Sequence, residues 1–206
     1  MLSIASIDST ACGSISVPIG ARGFSGVAAG EIHISYDSNL VSIDSATATF
    51  PTDALTIGIV NSRLNLVWES FQSPISIDDD STAILLFVTF LQTVADGTDL
   101  LFAGANEVVD ELGDPLPLQT CNGRMWCGPQ DCCVGMRGDV DNDGLAEPDI
   151  VDLSYLVDYL WNGGCSPLCD MEADVNGDGL SLPDIVDLSY LVDYLWQGGP
   201  TPPSCP

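Results

Sequence analysis

The chain has 206 residues, enough for one large domain or for a medium domain with a small companion, and its 46 % hydrophobic content supports a packed core. Thirty acidic residues against four basic ones give a formal charge of -26, which repels nucleic acid phosphates and anionic lipid headgroups and makes cations the natural partners. Charged residues make up only 17 % of the chain, so the acidity reflects missing Lys and Arg and is not that of a disordered acidic tail.

No apolar run reaches the length of a membrane span. Met1 to Ile7 has no basic region, long apolar stretch or cleavage site, the pattern expected of a mature or trimmed form. From residue 1 to about 120, short apolar segments alternate with period two or are rich in β-branched residues, and Gly, Pro, Asp, Asn and Ser separate them. They predict strands at Leu2 to Ile7, Ser14 to Ile19, Glu31 to Tyr36, Leu55 to Val60, Arg63 to Trp68, Ala83 to Leu91 and Leu100 to Ala103. In the third of these, Ile32, Ile34 and Tyr36 share one face and Glu31, His33 and Ser35 the other, as a half-buried antiparallel strand requires. Seven such strands imply a sandwich.

His33, the lone histidine, falls on the polar face and reads as a solvated surface residue. No G-x-S-x-G nucleophile elbow, phosphate loop or catalytic metal motif accompanies it, so an enzyme is not expected. Asp78, Asp79 and Asp80 read as a solvated turn ahead of the longest apolar strand, with a weak calcium site as the alternative.

Seven of the eight cysteines lie after residue 120, at 121, 127, 132, 133, 165, 169 and 205. An even count in a small acidic protein predicts disulfides and an oxidising, extracellular or cell-surface setting, with the connectivity left open. Zinc is the weaker reading, since there is no CxxC pair and adjacent Cys132 and Cys133 would crowd a tetrahedral site. Residues 121–137 are dense in Cys and Gly, follow neither period, and read as a connector between a 1–120 sandwich and a 138–206 module.

An offset of 35 aligns Asp139 with Asp174, leaves five differences in the 26 positions from 139 to 164, and repeats Pro148 to Trp161 unchanged as Pro183 to Trp196. Each copy opens with an acidic loop, DVDNDG or DVNGDG, and runs into the helix DIVDLSYLVDYLW. Asp139, Asp141 and Asp143, and likewise Asp174, Asn176 and Asp178, put oxygen at loop positions one, three and five, with Gly at six for the sharp turn; a hard cation needs such a set. Leu145 and Leu180 hold position seven, which such loops fill with a main-chain carbonyl. Position twelve is Ile150 or Ile185, so two extra residues are allowed before the helix, placing Asp149 and Asp184 at the ninth position and Asp152 and Asp187 at the closing one. The alternative reading makes these aspartates simple helix caps. Two calcium ions are expected, the first more tightly held because its loop offers five aspartates against four and Asn176.

Leu153, Leu156, Val157, Leu160 and Trp161, mirrored by Leu188, Leu191, Val192, Leu195 and Trp196, form amphipathic stripes expected to pack on each other. Ile150, Val151, Ile185 and Val186 stand at the junction of loop and helix, where partner contact and internal packing are both open.

On these residues the C-terminal module resembles a dockerin of type I character, the duplicated calcium-loop module that docks onto cohesins. GSISVPIG, EIHISYDSNL and AILLFVTF in the N-terminal part resemble a cohesin, which implies a jelly-roll sandwich. The dockerin resemblance implies that Ile150, Val151, Ile185 and Val186 touch the partner, although they are apolar here where hydroxyl residues are usual, the loops are longer, and the helices carry no basic residues. The expected function is a secreted, non-catalytic assembly protein that associates head to tail into a filament through calcium-dependent docking. An adaptor recruiting other cohesin- or dockerin-bearing proteins in a cellulosome-like complex is the alternative, and a carbohydrate-binding surface module the third. Partners are other copies or other cohesin and dockerin proteins, with no nucleic acid and no membrane insertion.

Overall fold

The structure is a computed structural model that describes residues 1–9, 12–52, 54–127, 132–133, 136–145, 147–180 and 182–205. It divides into two compact units, Met1–Gln130 and Asp131–Pro206. In chain order the first contains β1 (Leu2–Ile4), β2 (Ile7–Ser9), β3 (Ser14–Ala21), β4 (Phe24–Val27), β5 (Ala29–Ser35), β6 (Val41–Ala48), β7 (Ala54–Val60) and β8 (Arg63–Glu69). It continues with β9 (Ile75–Ile77), β10 (Ser81–Phe90), β11 (Val94–Phe102), β12 (Glu107–Val109), β13 (Pro115–Leu116), β14 (Thr120–Cys121) and β15 (Gly123–Cys127).

One sheet runs β14-β1-β3-β10-β6, a larger one β13-β12-β5-β11-β15-β2 with β8 and then β7 added on the other edge of β5, and β4 pairs with β9 in a two-stranded ribbon. Alternation supplies the core. In β5, Gly30, Ile32 and Ile34 point inward, and in β8 the inward set is Leu64, Leu66 and Trp68. Strand β10 buries two residues in succession, Ala83 and Ile84, because a bulge between Thr82 and Ile84 leaves Ala83 without a partner on β3.

The sequence predicts one strand over Leu2 to Ile7; the chain instead forms β1 in the five-stranded sheet and β2 in the other, crossing between layers at Ala5 and Ser6. Strand β6 escapes the periodicity because its VSIDSATA carries small and hydroxyl residues where bulk would mark an inward face. The connector expected from residue 121 begins later. Strands β14 and β15 hydrogen-bond to β1, β2 and β11, and a Cys12–Cys127 disulfide ties the end of β15 to the segment before β3. Residues 128–131 and 134–135 of that expected connector lie outside the described residues.

In the second unit, α1 (Ile150–Val157) and α3 (Ile185–Val192) are the two repeated helices, and α2 (Asp170–Ala173) is a single turn between them. Each repeated helix widens at its end into a π-type turn, with the Gly163 and Gly198 N–H groups bonded five residues back to Asp158 and Asp193, and both glycines stand at φ near +68 (69 and 67). A widened turn takes one more residue, so the apolar stripe loses phase. Leu156, Leu188 and Leu191 are buried as expected, but Trp161 and Trp196 are left more than half exposed. The core of this unit is small: Val140, Leu156, Ala173, Val175, Leu188 and Leu191, flanked by half-buried Leu153, Tyr155, Leu160, Tyr190, Tyr194 and Leu195. Disulfides Cys132–Cys169 and Cys133–Cys205 supplement it.

Gly30 lies directly opposite Trp68 in the β5–β8 ladder, and a Cβ on it would come 2.2 Å from the indole, which Phe24 and Phe50 wedge in place at ring distances of 6.4 and 5.8 Å. Gly30→Ala is therefore expected to destabilise the first unit by about 2 to 4 kcal/mol, and adding Trp68→Phe should recover part of that loss. Urea denaturation followed by strand circular dichroism checks it; an unchanged midpoint for the single variant contradicts the packing argument.

Candidate metal centres

Each acidic loop is folded by its own carboxylates. In the first, Asp139 Oδ1 accepts from the Asp143 N–H at 3.0 Å and Oδ2 from the Gly144 N–H at 2.9 Å; in the second, Asp174 receives Asp178 and Gly179 at 3.0 Å each. Position three repeats the pattern, Asp141 and Asn176 accepting from the Asp143 and Asp178 N–H groups. Position four requires left-handed backbone, supplied by Asn142 (φ 59) and Gly177 (φ 71), and position six by Gly144 and Gly179 (φ 83 in both).

Asp152 joins loop to helix. Its Oδ1 accepts from Val140 and Asp141 N–H at 2.7 and 3.2 Å, while its Oδ2 accepts from Asp149 N–H at 2.8 Å. Asp187 does the same with Asn176 and Asp184. Carboxylate oxygens of Asp139, Asp141 and Asp152 thereby come within 4.8 Å of one another. Hard oxygen donors converging on one point fit a calcium-type cation.

Asp149 and Asp184 do not join that convergence. The sequence places them at the ninth ligand position, one often reached through water, and each is the N-cap of its helix, its Oδ1 accepting from Val151 or Val186 N–H at 2.6 Å in a capping box closed by Asp152 or Asp187. Asp143 and Asp178 keep position five, bonded through Oδ1 to the Leu145 and Leu180 N–H groups. The side chains of Leu145 and Leu180 are exposed, as are Ile150, Val151, Ile185 and Val186, each about half accessible. A second convergence, Cys133, Glu172 and Cys205, offers no thiolate because the two sulfurs are bonded to each other.

On the outer face of the sandwich, cross-strand register aligns Thr56, Val67, Glu31 and Glu107 in one row, Glu69, Ala29 and Val109 in the next, and Gly58, Asn65 and His33 on the other side. A cleft of about 350 Å³ opens there, with Ala29, Val67, Trp68 and Val109 as its apolar lining and Glu31, Glu69 and Glu107 as its acidic residues. His33 is more covered than a solvated residue, at 18 % side-chain exposure: Nδ1 lies 2.6 Å from Asn65 Oδ1 and Nε2 3.2 Å from Glu31. The Asp78 to Asp80 run is a turn, with Asp79 accepting from Gly23 N–H at 2.6 Å and Asp80 paired to Arg22 at 2.8 Å.

Burial, reinforced by neighbouring carboxylates, raises the pKa of Asp141, Asp152 and Asp187 above the ordinary carboxylate value. A carboxyl whose folded pKa is raised weighs against folding in full above that pKa, and the penalty fades as pH falls through it toward the unfolded value. In chelator, the helix content of this unit is therefore expected to rise as pH falls from neutral toward the ordinary carboxylate range. Circular dichroism read at a helix wavelength in chelator tests this, and a steady fall in helix over the same range would contradict it.

No protein-family model matches the sequence. No curated protein matches it either. Solved structures do match, over the N-terminal β part. The sixth cohesin of Acetivibrio cellulolyticus scaffoldin B, solved with a Cel5 dockerin, aligns with 61 % of this chain and 96 % of its own at a TM-score of 0.55 and 18 % identity. A non-cellulosomal cohesin from the archaeon Archaeoglobus fulgidus aligns with 64 % of this chain and 92 % of its own, at 0.53 and 13 %. The OlpC cohesin of Clostridium thermocellum, solved with the Doc435 dockerin, covers 62 % and 92 % at 0.54 and 14 %. This chain is thus mainly a β-sandwich of the cohesin fold, followed by a small helical unit.

Proposed function

We propose that this chain is a secreted, non-catalytic assembly protein whose calcium-loaded second unit docks onto the sandwich of another copy, head to tail. The observation that carries the reading is the pair of exposed aliphatic helix starts, Ile150-Val151 and Ile185-Val186, each beside a carboxylate loop, in a chain whose other unit has the cohesin fold. Two of the similar cohesins were solved holding a dockerin. Disulfides and the absence of free cysteines among the described residues support an oxidising compartment, and no helix is long and apolar enough to cross a membrane.

Calcium would be held in the first loop by Asp139, Asp141, Asp143, Asp152 and the Leu145 carbonyl, and in the second by Asp174, Asn176, Asp178, Asp187 and the Leu180 carbonyl. Bound there, it supplies the positive charge that the converging carboxylates lack. Asp152 and Asp187 then act from both sides, orienting the start of the helix and closing the loop, so the exposed pairs immediately ahead of them are presented at a fixed angle. Different surfaces meet in such a contact, so it is heterologous and generates rings or open filaments.

The adaptor reading has one observation in its favour. The sandwich cleft carries Glu31, Glu69 and Glu107, whereas α1 and α3 contain no Lys or Arg to meet them. A different protein with basic residues would satisfy that cleft better than a second copy does.

Chelation is expected to remove most of the helical circular dichroism while the strand signal stays, because the second unit buries few apolar side chains and its carboxylates repel once uncompensated. Helix content unchanged in excess chelator, with disulfides reduced, contradicts this coupling.

Sedimentation and electron microscopy of the full chain with calcium should show species larger than monomer that dissociate in chelator. Because the surface is duplicated, Ile150→Asp and Ile185→Asp together are expected to weaken association by at least about a hundredfold, and either alone by much less. Monomers only, at high concentration with calcium, would reject self-assembly in favour of the adaptor.

A further inference from the structure

The 35-residue offset that superposes the loops also pairs Arg137 with Glu172, each two residues ahead of the first aspartate of its loop. At one matched position the repeats therefore carry opposite charges, and each side chain reaches across to the other repeat. Arg137 Nη1 lies 2.7 Å from Asp174 Oδ2 and also donates to the Met171 and Asp174 carbonyls at 2.9 and 3.1 Å. Glu172, only 1 % exposed, accepts through Oε2 from the Asp139 N–H at 3.3 Å.

The guanidinium is held in place. Its side chain and that of Asp174 are 14 % and 6 % exposed, and the Arg137 N–H donates to the Pro203 carbonyl at 3.0 Å in a tail pinned by Cys133–Cys205. Asp174 Oδ2, the oxygen it pairs with, belongs to the first ligand position of the second loop; Gly179 N–H donates to it as Gly144 N–H does to Asp139 Oδ2, and Arg137 comes in addition to that shared contact. With the reaching side chains included, the first loop gathers five negative charges, from Asp139, Asp141, Asp143, Asp152 and Glu172, whereas the second has a net of two, from Asp174, Asp178 and Asp187 less Arg137.

We propose that Arg137 is a built-in competing cation that lowers the affinity of the second loop for calcium, so that the loops fill in order, the first before the second. This rests on the calcium reading above. A unit charge about 6 Å from a divalent ion changes its affinity about tenfold even at the dielectric of bulk water. The surroundings of Arg137 are drier than that, so tenfold is the smallest effect expected of its removal.

The test is a calcium titration of the full chain, by calorimetry for affinity and by the amide signals of Gly144 and Gly179 for which loop fills. Wild type should fill Gly144 first. Arg137→Gln keeps a hydrogen-bond donor and removes the charge; it should tighten the second site at least about tenfold and leave the first within about twofold. Arg137→Lys, which keeps the charge, should leave the second site near its wild-type affinity. The proposal is overturned if Gly179 responds at the same calcium concentration in Arg137→Gln as in wild type. It is also overturned if that variant lacks helix at saturating calcium, since a competitor of the ion is dispensable once the ion is bound. A wild-type chain that takes up no calcium at all instead overturns the reading beneath the proposal, before any variant is compared.

Discussion

Repulsion among carboxylates is the constraint that the second unit is built around. Three of them are held within 4.8 Å in a unit with a small apolar core, an arrangement that costs folding free energy unless something positive or hydrogen-bonding offsets it. Main-chain N–H groups do so in part: Asp139, Asp152 and Asp174 each accept at least two of them, and the loops take their shape from that demand. What the N–H groups leave uncompensated is negative charge, and the proposed calcium ions would offset it. The first unit faces no such problem. Its core is continuous between two sheets, and its stability rests on shape, as the lack of a side chain at Gly30 beneath Trp68 illustrates.

Duplication gives the second unit an internal near-symmetry, and the departures from it are informative. Asn142 against Gly177 is neutral to the fold, because both residues tolerate the left-handed backbone that the fourth loop position needs. Arg137 against Glu172 is different in kind. It exchanges a positive for a negative charge at two matched points, one half-buried and one buried, while the helices that follow stay identical in sequence and in capping. The helices of the repeats are thus equivalent and the electrostatics between them are not.

How much could be read beforehand depended on how narrowly the chemistry restricts the residues. The loops were legible because oxygen at alternate positions followed by Gly has few other uses, and the sandwich because inward residues such as Ile32, Ile34, Leu64 and Leu66 recur with period two. The role of Asp149 was not legible. An aspartate ahead of a helix suits a ligand and a cap equally, and the 2.6 Å bond to Val151 N–H shows the cap. Strands β14 and β15 were missed for another reason: TC and GRMWC have no strand pattern of their own and are extended because β1, β2 and β11 offer them open edges. Trp161 and Trp196 were misplaced because a period of 3.6 was carried through a turn that does not keep it.

The disulfides of the second unit also decide how it meets mechanical force. Adjacent Cys132 and Cys133, where the chain comes into the unit, are bonded to Cys169 just before α2 and to Cys205 at the far end, and Met136 pairs with Ser204 beside them. A pull on the backbone at that point is shared at once with the segment leading to the second loop and with the C-terminal tail. The first loop cannot be peeled away from its N-terminal side, because the covalent path bypasses it. Tension between the point of entry and the C-terminal tail therefore runs through Cys133–Cys205, and both loops lie inside the covalent bracket that carries it.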